Sequence, residues 1–272
     1  MKSHHCAALF IAGIIAFSGI ASAETPSAEA LVSMAMEAVE SESTMADHNM
    51  IRIAVHQEET LSDGTTKNSD TTAIVHGGGL ENIRFVLNQG VTLGLSGNTG
   101  WAVIGGKLDD RPQTPRMAAG TIRQTLFPVL LPFSLQLEGV NLGAVTATTF
   151  DGTPAWRLDV NFEPNFFAAP AMLTTWRIFI SRDDHLVLGA DYPPVKELLA
   201  VVDEGIRYRY LKRQDVDGIN LAAQVLLDGI DINEVENGHV RVTKLDAETI
   251  GPLDLSLFIN PDIAAKMDSE EF

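Results

Sequence analysis

From about Gly77 to Pro261 the chain carries one β-hairpin signal after another, broken by a single long interruption. That pattern constrains the fold more than any other feature. Short β-branched or alternating runs are punctuated by turn residues about every eight to twelve positions, the spacing of a sandwich or barrel. The interruption, Gln113–Gln136, holds the apolar run Leu126-Phe127-Pro128-Val129-Leu130-Leu131-Pro132-Phe133. A mostly antiparallel sheet with one greasy, Pro-punctuated insertion points to a hollow half-barrel that encloses something apolar.

The strand pattern begins near Met50, where Ile51, Ile53 and Val55 alternate with Arg52, Ala54 and His56. Ser62-Asp63-Gly64 turns the chain and Thr71–His76 returns. Ile83, Phe85 and Leu87 alternate next, followed by Val91–Leu95 and Trp101–Ile104 about a Gly-rich loop. After the interruption, Val140–Phe150 pairs with Pro154–Phe162, Thr174–Ser181 with Leu186–Tyr192, and Gly205–Gln214 with Ile219–Leu227. Asn237-Gly238 is read as the turn before a closing strand, Val240–Leu245. The fold class expected is mainly β with a helical lid (α+β): one unclosed antiparallel half-barrel of about eleven or twelve strands.

Three helical segments are expected. Ser27–Ser41 places Leu31, Met34 and Ala38 on one apolar face, with Ser27 as N-cap and Glu29 in the first turn. This helix is either a fixed cover on the sheet or a movable lid. Ala118–Leu126 begins the insertion, but Pro128 and Pro132 force a kink and a short second turn. Pro194–Val201 suits a third, short helix.

Residues 1–23 read as a cleaved signal peptide: Lys2, an uncharged stretch Cys6–Ile20, then the small-x-small pattern Ala21-Ser22-Ala23. Export places the chain in the periplasm of a Gram-negative bacterium, with one domain over 24–261 and a loosely held tail over 262–272. Removing 23 of 272 residues leaves 249, and the only cysteine leaves with them. Disulfides, thiol nucleophiles and thiolate metal sites are therefore excluded. Losing Lys2 also takes the formal charge from −17 to −18. Such a surface repels phosphate backbones, which argues against nucleic acid as a partner.

Motifs that carry chemistry are missing. Gly94-Leu95-Ser96-Gly97 has its glycine one position too early for a nucleophile elbow, and no S-x-x-K occurs. Gly105-Gly106-Lys107 lacks the spacing of a phosphate loop. Asp215-x-Asp217-Gly218 lacks the later ligands of a calcium loop. The acid pairs Asp109-Asp110 and Asp183-Asp184 lie in loops where carboxylates are ordinarily solvated. No enzyme, metal or cofactor is expected.

Several short motifs follow one another in a telling order: Leu93–Trp101–Gly106, then Thr121–Phe133, then Gly152-Thr153-Pro154-Ala155-Trp156-Arg157-Leu158. Asp217-Gly218-Ile219-Asn220-Leu221 and Leu253–Pro261 complete the series. In this order the chain resembles the LolA/LolB lipoprotein-localisation family. The resemblance implies an N-terminal helix, an unclosed antiparallel barrel and inserted capping helices. It also implies a non-catalytic periplasmic carrier for lipid or the acyl chains of lipoproteins. The best-known carriers hold their lid shut with an arginine before the Trp hairpin. Here Gly77-Gly78-Gly79 occupies that region, with Arg84 further along, so the resemblance does not carry the latch over.

The cavity lining is accordingly expected from Trp101, Phe127, Leu130, Phe133, Trp156 and Trp176, in a monomeric carrier. The alternative is an envelope regulatory module of the same fold, its interior filled, that contacts another protein.

Overall fold

The computed structural model describes residues 24–40, 44–47, 50–77, 79–87, 90–169, 172, 174–194 and 204–262. The expected signal peptide, nearly all of the expected helix Pro194–Val201 and the tail beyond 262 lie outside these residues.

Thirteen strands form one antiparallel sheet. In chain order they are β1 (Met50–Thr60), β2 (Thr66–His76), β3 (Gly79–Leu87), β4 (Val91–Ser96), β5 (Thr99–Ile104) and β6 (Lys107–Leu108). After the insertion come β7 (Val140–Phe150), β8 (Thr153–Phe162), β9 (Trp176–Ser181), β10 (Val187–Tyr192), β11 (Gly205–Val216), β12 (Ile219–Ile230) and β13 (Glu236–Ile250). The spatial order is β6-β5-β4-β3-β2-β1-β13-β12-β11-β10-β9-β8-β7. Two meanders thus run outward from a central seam, where β1 pairs with β13 from Met50↔Ile250 to Thr60↔Val240.

This topology determines what the insertion must do. The free edges of the sheet are β6 and β7, which are consecutive in the chain, and the connection between them is the insertion itself. It has to cross the open side of the curved sheet, and its apolar residues land on the concave face. Helix α2 (Thr114–Leu126) leads in; main-chain bonds from Leu130 to Leu126 and from Ser134 to Leu130 continue the path, and a 3-10 turn, Phe133–Gln136, ends it. The kinked helix and second turn expected from the two prolines are present. The helix starts earlier than Ala118 because Pro115 sits in its first turn, where the missing N–H costs nothing.

The concave face is one continuous core. Period-two alternation turns Ile51, Ile53 and Val55 of β1, Ile83 and Phe85 of β3, and Trp156, Leu158 and Val160 of β8 inward against Leu126, Phe127 and Leu130. Close packing of α2 relies on two glycines. A Cβ at Gly100 would lie 2.3 Å from the Pro115 carbonyl oxygen, and one at Gly120 would lie 2.4 Å from the Ala168 nitrogen.

Helix α1 (Ala28–Val39) is capped by Ser27, whose hydroxyl accepts from the Ala30 N–H at 3.1 Å. It lies against β7 and β12 and ends at a bridge between Glu40 and Ile219, the first residue of β12. Leu31 is fully buried; Met34 and Ala38 are half-buried.

The closing strand differs from its expectation. It starts at Glu236, and the true turn is Asp231–Val235, where the Asp231 carboxylate accepts from the N–H groups of Asn233 and Val235. Asn237-Gly238 lies within the strand, at a bulge opposite β12. An Asx turn upstream of the Asn-Gly pair had already reversed the chain.

The convex face of β8–β12 carries interleaved arginines and acids. Arg177 pairs with the buried Asp191 and with Glu234, while Arg209 pairs with Asp151, Asp228 and Glu236.

Candidate functional site

Between the insertion and strands β10–β13 lies a cavity of about 260 Å³. One wall is apolar: Val129 from the insertion, Tyr192 from β10, Ile206 and Tyr208 from β11, and Val225 and Leu227 from β12. The polar side chains are Gln57 from β1 and His239, Arg241 and Thr243 from β13, with Thr243 and Arg241 directly beside Val225 and Leu227 of the neighbouring strand. The cavity lies along β12 away from the end that α1 covers.

The polar wall comes from a reversed pattern. On β13 the apolar residues Val240 and Val242 alternate with His239, Arg241 and Thr243, and it is the polar set that lines the cavity. β1 does the same, Gln57 and Glu59 continuing the row of Ile51, Ile53 and Val55, so the β1–β13 seam turns polar at this end while the rest of the concave face stays apolar. Such departures cluster at functional sites.

His239 is bracketed by carboxylates. Nδ1 lies 2.9 Å from a Glu204 oxygen and Nε2 lies 3.0 Å from a Glu59 oxygen. Burial works against the imidazolium, but the bonds to Glu204 and Glu59 outweigh it and raise the histidine pKa. With an acceptor on each side, both ring nitrogens act as donors. Arg241 is different. Its nearest acid is Glu59, 3.6 Å away, its Nε is buried, and it makes no hydrogen bond among the described residues. Burial holds the Tyr208 phenol up at about 12 and raises Tyr192 well above its usual value, so both stay neutral.

The insertion is tied down over this space. The Tyr210 hydroxyl on β11 donates to the Pro128 carbonyl, and the Ser134 hydroxyl donates to the Phe127 carbonyl at 2.7 Å. At its outer corner Arg123 donates to the Asn98 side chain at 2.6 Å, and Asn98 donates to Glu138 at 2.8 Å.

None of the six residues expected to line a cavity borders this one. Phe127, Leu130, Phe133, Trp156 and Trp176 are all buried in the concave core. Phe127 and Trp176 sit in a solid aromatic cluster with Phe162, Phe166 and Phe167. Trp176 stacks on Tyr192 and Tyr208 with centroids 4.8 and 5.7 Å apart, and so forms the backing of the cavity wall. Trp101 must be reassigned. Its indole lies on the convex face over Gly94, where a Cβ would stand 1.9 Å from the ring, and its Nε1 donates to the Phe258 carbonyl at 2.7 Å. Leu31, Met34 and Ala38, expected on a lid, do not border the cavity either.

The acid pairs do not converge on a cleft. Asp109 is engaged by Arg111 and Thr114, with Arg111 holding its carboxyl well below the usual range. Asp184 accepts from the Leu186 N–H within its own turn. Among the described residues no group of three His, Asp or Glu side chains is placed to hold a metal ion.

No family model matches the sequence, and no curated protein matches it. Solved structures do. A LolA superfamily protein of Nitrosomonas europaea superposes with a TM-score of 0.58 at 11% identity, covering 86% of this chain and 98% of that one. An outer membrane lipoprotein-sorting protein domain of Vibrio parahaemolyticus gives 0.58 at 9% identity, covering 87% and 99%. A DUF1329 family protein of Desulfovibrio piger gives 0.54 at 12%, covering 86% and 98%. At these identities the likeness is one of fold. The chain has a LolA-like fold: an unclosed antiparallel β-barrel with helices over its opening.

Proposed function

We propose that this protein is a non-catalytic periplasmic carrier that shelters lipid, or a lipoprotein acyl chain, between its sheet and its insertion. One observation carries the reading: the sole connection between the free edges of the sheet is an apolar segment that covers the concave face and leaves a cavity at β10–β13. An acyl chain in water costs about 0.8 kcal/mol per methylene, so a soluble carrier has to cover nearly all of it. The cavity, at about 260 Å³, falls just under the roughly 300–1,000 Å³ of ligand pockets. It holds one short chain as it stands. A longer chain requires Pro128–Leu131 to lift. The Vibrio neighbour's name, a lipoprotein-sorting domain, points the same way.

The solid aromatic centre favours a second reading, in which the filled half-barrel serves as an envelope module that binds another protein. Uptake of a fluorescent fatty acid separates the two. The carrier binds it saturably, and Leu227→Trp, which fills the cavity, abolishes uptake while circular dichroism stays unchanged. Absence of uptake by the wild-type protein favours the protein-binding module.

A further inference from the structure

Most of the cavity's polar side chains are engaged, His239 with Glu204 and Glu59 and Gln57 with Thr243, but Arg241 is not fully accounted for. The Nε of Arg241 is buried and has no partner among the described residues, while its Nη1 makes only a loose ion pair with Glu59 and its side chain keeps 29% of its surface exposed. Its ion-pair partner among the described residues, Glu59, already serves His239 at 3.0 Å and stands 3.6 Å from Arg241. A guanidinium beside a cavity with a buried N–H unpaired has hydrogen-bonding capacity to spare, and an incoming anion would take it up. Gln57 and Thr243, which touch each other at 3.5 Å, stand beside it on the same wall. Leu227 is the cross-strand neighbour of Arg241 with Tyr208 next to it, Val129 comes from the insertion, and none of the three offers a charge.

Resting on the carrier reading above, we infer that this cavity takes a single-chain amphiphile with a carboxylate headgroup. The carboxylate bonds Arg241, aided by the Gln57 amide, and the chain lies against Val129, Tyr208 and Leu227. Planar carboxylate matches the guanidinium fork in a two-bond pairing. Glu59 and Glu204 already stand against Arg241 and His239 here. One added negative charge is tolerated there, whereas a dianionic phosphate meets Glu59 at close range. Size limits the tail: at roughly 30 Å³ for each water-sized group, 260 Å³ holds about nine heavy atoms, so a ten-carbon acid seats most of its length and requires Pro128–Leu131 to lift for the rest. The fitting ligand is therefore a medium-chain fatty acid.

The test is calorimetric titration of the purified protein with decanoate, decanol and decyl phosphate. Decanoate is expected to bind about tenfold or more tighter than decanol and tighter than decyl phosphate. Arg241→Gln should remove that preference while decanol binding persists. Raising the salt concentration should weaken decanoate but not decanol binding to the wild-type protein, a readout that needs no variant. Equal binding of decanoate and decanol, or an unchanged preference in Arg241→Gln, overturns the headgroup site and leaves carriage of apolar ligands standing. Decyl phosphate binding as tightly as decanoate overturns the choice of carboxylate. If none of the three binds, the carrier reading falls with it.

Discussion

The hydroxyl of Tyr210, on the concave face of β11, donates to the main-chain carbonyl of Pro128 in the middle of the insertion. One residue further along, Val129 forms part of the cavity wall. The bond thus fastens the segment that must move if a long chain is to enter.

Tyr210→Phe keeps the ring and deletes the donor. It should destabilise the protein by about 1 kcal/mol in urea unfolding, the usual net worth of one hydrogen bond. It should also speed the entry of a fluorescent fatty acid in stopped-flow mixing. A slower or unchanged entry rate would mean that this bond does not hold the cover shut.

On the convex face Asp191 is 1% exposed and lies between Arg177 and Arg207. Asp191→Ala leaves two guanidiniums crowded together without their shared acid. The expected cost is about 3 kcal/mol or more, as for other broken buried pairs, read from the urea midpoint. A loss under about 1 kcal/mol would show that Glu234 alone satisfies both arginines.

The His239 bracket makes stability depend on pH with a definite sign. Its folded pKa is raised above the ordinary histidine value of 6.5, because Glu204 and Glu59 outweigh burial. The folded state therefore holds the proton more tightly than the unfolded chain. The contribution is complete below 6.5 and is lost as pH rises through the higher folded value. His239→Gln should flatten the stability profile on the alkaline side of neutrality; a profile identical to that of the wild type would contradict the bracket.

Trp101 offers a test of position. As a convex-face residue under Phe258, its replacement by alanine should cost about 3–5 kcal/mol without changing fatty-acid affinity in the folded fraction. Loss of affinity in fully folded Trp101→Ala would return it to the cavity.

How much of this was legible in the sequence depended on whether a strand has one buried face or two. On β8, Trp156, Leu158 and Val160 alternate with Arg157, Asp159 and Asn161, so the inward face could be read directly. β5 is covered on both sides, by α2 against Gly100 and by the segment around Phe258 against Trp101. Period-two reasoning has no polar side from which to orient such a strand, so the sequence does not reveal which face carries Trp101. β13 misled in another way: Val240 and Val242 look like its core face, while His239, Arg241 and Thr243 line the cavity. Its sequence signal was the polar alternate row itself, meaningful only once the strand is known to sit at the centre of the sheet. The insertion was legible as a cover from its composition. That its aromatic residues fill the middle of the half-barrel followed from three-dimensional packing with Phe162, Phe166 and Phe167.

The most direct measurement is native mass spectrometry of the protein purified from a bacterial envelope. A carrier should emerge with one amphiphile bound, its mass identifying a fatty acid or acyl chain, and should lose it in the Leu227→Trp variant. Protein that repeatedly emerges without lipid, under conditions that preserve ligands on a known carrier, would contradict the account.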